Sequence, residues 1–192
     1  ILLKQQRHTD VVDTLRPLWQ EGLLTTGDVE QLALALVQCG RHEEAIRPLR
    51  EALAATSRDD LERCLLESFS QIGDTDNVVT TAESILAKTP NDVRALELAA
   101  DALSRRTSNR DLERAIVLYE QLLGLSPNDT RAKQEIVRLR KCRASQGAAT
   151  SPELVISDLT RALELHPNDA ELHRQMATSL YNSGDLERAA YH

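Results

Sequence analysis

The chain has 192 residues, of which 41% are hydrophobic, 28% charged and only 3% aromatic. Thirty acidic residues against 23 basic ones give a net charge of −7, which disfavours wholesale binding to nucleic acid or anionic membranes, because phosphate contacts need basic surface. Seven glycines and six prolines are too few for a disordered linker, and no run approaches the roughly 18 consecutive apolar residues of a membrane span.

Apolar residues recur at helical spacing almost everywhere. Val11, Val12, Leu15, Leu18 and Trp19 predict a helix over about 8–20, a second helix whose partner is mostly cut away. The chain starts at Ile1 with a helix under way, so it reads as a piece excised from a longer protein, and the lack of a signal peptide says nothing. Val29, Leu32, Ala33 and Leu36 predict a helix over 26–38, and after Gly40 the stripe Ala45, Ile46, Leu49, Ala52 predicts another over 42–55. Pro17 and Pro48 fall inside second helices, where each removes a backbone donor and is expected to bend its helix.

Residues 59–92 show the grammar most clearly. Leu61, Leu65, Leu66 and Phe69 form one stripe (59–72), Gly73-Asp74 makes the turn, and Val78, Val79, Ala82, Ile85 and Leu86 form the second stripe (76–88). Gly73 is suited to the positive φ that ends a helix, and Pro90 stands where the second helix has finished. The block is 34 residues long and closes with TPND; SPND and HPND recur at Pro127 and Pro167. Pro90 and Pro127 are 37 residues apart, the excess fitting a polar turn at Arg105–Asn109 between helices over 93–106 and 111–124. Pro127 and Pro167 are 40 apart, the excess fitting a small-residue loop, ASQGAATSP at 144–152, between helices over 130–144 and 153–165. Ser151 is expected to cap the second of these and Pro152 to open it. A last first helix over 170–182, the turn Gly184-Asp185 and the start of another helix complete the chain. The units are therefore about 1–25 (partial), 26–58, 59–92, 93–129, 130–169 and 170–192 (partial), in one all-α array over 1–192. A period in this range means stacked supersecondary units rather than one globular core.

This pattern resembles the tetratricopeptide repeat family. His173 stands in the family's large slot, Met176-Ala177 in its Leu-Gly slot, Tyr181 beside its Tyr slot, Gly184-Asp185 in the turn and Ala189 in the Ala slot; Tyr119 matches the second-helix aromatic. Leu66 and Val137 depart from it by replacing a small residue, and no first helix carries the family's Trp. The resemblance implies a right-handed superhelical solenoid of antiparallel helix pairs, with first helices lining a concave face. It also implies a scaffold or adaptor that binds a protein or peptide in that groove. The groove slots, carried over, are Glu30, Leu34, Arg63, Glu67, Glu97, Asp101, Gln134, Arg138, Lys141, Arg174, Thr178 and Asn182. Alternatives from other classes are the partner-selecting arm of an enzyme whose catalytic domain lies elsewhere, and a periplasmic scaffold of a bacterial secretion or exopolysaccharide-export system.

No catalytic constellation, phosphate loop or metal-ligand spacing stands in the sequence, so neither a catalytic residue nor a cofactor or metal is expected. Cys39, Cys64 and Cys142 are far apart and odd in number, which suits free thiols and mildly favours a reducing compartment. The expected location is the cytoplasm, with the periplasm as the alternative. Residues 131–143 are the densest basic run. One reading is a solvated helix whose Arg and Lys stems cover neighbours; the functional one is a contact for an acidic partner segment through Arg131, Arg138 and Lys141. Glu97 and Asp101 would then repel that segment from one side, and Arg63, Glu67, Arg174 and Asn182 complete the expected binding set. Nucleic acid is not expected, since no aromatics interleave with these charges.

Overall fold

The computed structural model describes residues 2–147 and 152–192, with side chains from Arg7 onward. Among the described residues there are eleven helices and no strand. They are α1 (Leu2–Gln20), α2 (Thr26–Gln38), α3 (His42–Ala55), α4 (Asp59–Ile72), α5 (Thr75–Lys88), α6 (Val93–Ser104), α7 (Asn109–Leu125), α8 (Thr130–Gly147), α9 (Pro152–Leu165), α10 (Ala170–Ser183) and α11 (Leu186–Tyr191). The expected helices are all present, most within a residue or two at each end. The chain forms two compact units, Ile1–Ala102 and Leu103–His192.

In the first unit each helix packs on the next, α1 on α2, α2 on α3, α3 on α4 and α4 on α5. The turns are set by glycine. Gly40 has φ 72° and Gly73 φ 78°, conformations in which a side chain would be strained, and each lets the chain reverse within three residues. The stripes read from the sequence form the core: Leu32, Ala33, Ala45, Leu49, Leu61, Leu66, Phe69 and Ala82 are all buried. Short helices of this length are marginal alone in water, so burial of about 25 cal/mol per Å² against a neighbouring helix is what stabilises them. Both α1 and α3 continue past their prolines; Pro17 is exposed and Pro48 lies in the core.

The second unit is built the same way, α7 on α8, α8 on α9, α9 on α10 and α10 on α11. One cluster joins Val137 and Ala144 of α8, Val155, Leu159 and Ala162 of α9, and Leu172, Met176 and Leu180 of α10. Ala115 on α7 is wholly buried here, as Ala100 on α6 is in the first unit, both as their spacing requires.

Four helix ends differ from expectation. Helix α1 begins at Leu2, well before residue 8. Helix α6 ends at Ser104 and α7 begins at Asn109, because the Ser108 side chain accepts the Asp111 N–H and so starts the helix two residues early. Residues 144–147 are helical rather than loop. Burial of Ala144 in the core and the ion pairs of the preceding turn hold α8 together through them. The expected cap at Ser151 and the rest of that loop lie outside the described residues.

Candidate functional site

The first-helix charges mostly do structural work. Glu30 on α2 accepts from Arg58, just before α4, at 2.5 Å. Arg63 on α4 donates to Asp92, just before α6, at 2.9 Å, and Glu67 on α4 pairs with Arg94 on α6 at 2.8 Å. In the second unit Lys141 on α8 donates to Asp169, just before α10, at 2.6 Å. Each pair thus ties one first helix to the start of the next. The aspartates of the PND tags are bifunctional in this scheme. Asp92 Oδ1 accepts the Ala95 N–H and Asp169 Oδ1 the N–H groups of Glu171 and Leu172, capping α6 and α10, while the other oxygen takes the cation. Asp129 caps α8 through the Ala132 N–H.

The electrostatics follow. Burial pushes the Glu67 carboxyl up, but hydrogen bonds from Gln71 and Arg94 outweigh it and hold it below its ordinary value. At Asp92 burial is likewise outweighed, by the Ala95 N–H and Arg63. Lys141 is the main cause that lowers Asp169.

Of the residues expected to meet a partner, Arg63, Glu67, Glu97 and Asp101 belong to the first unit and Arg131, Arg138, Lys141, Arg174 and Asn182 to the second. Glu97 pairs with Arg94 at 3.3 Å, and Asp101 and Arg131 also have partners. Arg138 is exposed and, among the described residues, bonds only Glu135, one turn earlier on α8, through Nε and one terminal nitrogen at 2.9 and 2.7 Å. Arg174 is 68% exposed and bonds Glu171 in the same way, at 2.8 and 2.6 Å. Arg174, with help from Gln175, lowers the Glu171 carboxyl to about 2, so this pair stays charged at any physiological pH.

The basic run is not a uniformly solvated face. Arg140 is 2% exposed and donates to Asp158 of α9 at 2.9 Å and to Glu120 of α7. Arg143 grips the other side of Asp158, with its Nε 2.6 Å from Oδ2. Asp158 is itself buried, so its charge is met by two guanidinium groups rather than water. The reading of Arg140 and Arg143 as stems lying over neighbours is therefore corrected. They form an ionic clamp across α7, α8 and α9 around the buried Asp158, needed because a bare carboxylate on the apolar stripe of α9 would be costly.

A cleft of about 260 Å³ opens where α8, α9 and α10 meet. Ala144, Val155 and Leu159 form its apolar floor. Arg174, Thr178 and Asn182, three of the expected groove residues, stand on the α10 side with Gln175 and Ser179, and Ser145 stands opposite on α8. Lys141 and Arg138 lie further back along α8. Among the described residues no three His, Cys, Asp or Glu side chains gather to hold a metal, and no helix is long and apolar enough to cross a membrane.

Comparison with known proteins agrees with this architecture. Residues 29–63, which span most of α2, all of α3 and the start of α4, match the tetratricopeptide repeat sequence profile. The profile thus identifies one tetratricopeptide repeat, within residues 29–63. Solved structures of the same fold include MamA from residue 41 onward from Desulfovibrio magneticus RS-1, at 18% identity and a TM-score of 0.54, covering 86% of this chain and 89% of that one. A tetratricopeptide repeat protein from Parabacteroides merdae ATCC 43184 aligns at 14% identity and a TM-score of 0.53, covering 97% and 77%. A repeat protein from Bacteroides fragilis NCTC 9343 aligns at 12% and 0.50, covering 92% of each. No curated protein matches the chain in sequence. Repeats of this kind act in general as protein-interaction scaffolds.

The caps are legible in the sequence. Thr25 and Ser108, each followed three residues on by Asp, carry the helix-start signature, and the aspartate of each PND tag directly precedes an apolar run. The partner of Arg140 had a fainter signal: Asp158 sits between Val155 and Leu159 on the face that should be apolar.

Proposed function

We propose that the chain is a non-catalytic scaffold that binds a protein or peptide along α8 and α10, and that the segment it takes is acidic. One observation carries this reading. Glu30, Arg63, Glu67 and Lys141 are committed to bridges between successive first helices, whereas Arg138 and Arg174 pair only with a glutamate one turn away on their own helix. An exposed pair of that kind contributes little, so a partner's carboxylate competes with it at little cost. A guanidinium carries five N–H donors in a fork, and the edge facing away from the glutamate remains to be used.

Affinity capture with the intact chain and with Arg138→Glu, run side by side and quantified by mass spectrometry, tests the reading. Arg138 is exposed, so the variant should melt as the parent does. A genuine partner should be recovered at least tenfold less by the variant near 0.1 M salt, and recovery by the parent should fall as salt shortens the screening length from about 10 Å towards 3 Å. Equal recovery by both proteins, unaffected by salt, would reject these charges as the contact.

A further inference from the structure

The cleft at α8, α9 and α10 has a chemistry of its own. Its floor, Ala144, Val155 and Leu159, offers nothing to a polar group. The hydroxyls around it are already used as donors. Ser145 donates to the Lys141 carbonyl, Thr178 to that of Arg174 and Ser179 to that of Gln175, all at 2.9 Å. What remains to meet a ligand as donors are the outer edge of Arg174, the amide of Asn182 and the second N–H of Gln175, whose Oε1 is a buried acceptor with no partner among the described residues. Arg174 is the one charged side chain among the cleft's lining residues, and Glu171 holds its Nε and Nη2 edge in place from behind. A volume of about 260 Å³ falls below the roughly 300–1,000 Å³ of small-molecule sites.

Resting on the scaffold reading above, we propose that this cleft seats a single branched aliphatic side chain of an extended peptide, with an aspartate or glutamate next to it in the peptide bound by the Nη1/Nη2 edge of Arg174. The aliphatic group removes the floor from water. The carboxylate meets a fork that is already oriented, which favours a two-point bond over a loose charge contact. A lysine or arginine at the same place in the peptide would face Arg174 with no carboxylate turned towards it, since Glu171 is engaged on the far edge. The cleft therefore selects an aliphatic-acidic pair and rejects an aliphatic-basic one.

A displayed random-peptide library, selected on the parent chain and counter-selected on Ser179→Trp, tests this. The indole is placed to fill the cleft. If that variant melts early, Asn182→Trp replaces it, because Asn182 is exposed. Enriched peptides are then synthesised and their affinities measured by fluorescence polarisation. The expected motif is Leu, Ile or Val beside Asp or Glu. Changing the peptide's acid to its amide should weaken binding to the parent about tenfold, and to Arg174→Gln hardly at all. Peptides that bind the cleft-filled variants as well as the parent would place the contact elsewhere and overturn the cleft assignment while leaving the scaffold reading intact. Enrichment of basic or purely polar peptides would overturn the selectivity. Failure to enrich any sequence would count against the scaffold reading itself.

Discussion

Asp158 shows how much a single side chain decides here. It is buried on the stripe of α9 that carries Val155, Leu159 and Ala162, and it is neutralised by Arg140 and Arg143 from α8. Removing one member of a buried pair leaves the other charged and dry, which typically costs about 3–5 kcal/mol, while replacing both by apolar groups of similar size is often neutral. Asp158→Leu should therefore lower the urea midpoint by an amount corresponding to about 3 kcal/mol, and adding Arg140→Met should restore much of the loss. Chemical denaturation of the two single variants and the double measures this. Additive losses would mean the residues do not act as a pair. The same residues mark where sequence reading stops. The stripes of Leu, Ala, Val and Ile place nearly every helix, because burial period is a local property. The Arg140–Asp158 bond joins residues 18 apart across a loop, and nothing local distinguishes Arg140 from the exposed Arg138 beside it. Arg63, Glu67 and Lys141 were legible as first-helix residues, yet their partners sit nearly a full repeat away, so pairing had to be seen in three dimensions.

At the scale of the helix, the ion pairs between successive first helices set a dependence on pH. Glu67, Asp92 and Asp169 all titrate below their ordinary values in the folded chain. The unfolded chain then binds more protons than the folded one as pH falls, so these groups contribute stability above the unfolded carboxylate range and lose it on acidification. The urea midpoint should stay level from pH 7 to about 5 and drop below about pH 4, where unfolded carboxylates of pKa about 3.9–4.3 take up protons. The drop should shrink when Asp92 and Asp169 are both replaced by Asn, which keeps a side-chain oxygen for the helix cap and removes the charge. Midpoints that rise on acidification would contradict the pairing.

At the scale of the whole molecule, each unit is a run of helices packed in sequence, α1 to α5 in the first and α7 to α11 in the second. The repeat made that much legible before any coordinates. It did not show that Glu30, Arg63, Glu67 and Lys141 would be turned to holding the repeats together, leaving α8 and α10 with open guanidinium edges at Arg138 and Arg174. The claim that these two helices form the contact face is tested most directly by hydrogen–deuterium exchange on the chain with and without the partner it captures. Exchange should slow at residues 130–147 and 170–183, with the first unit unchanged. Protection confined to α9, or to the first unit, with α8 and α10 exchanging as in the free chain, would contradict the account.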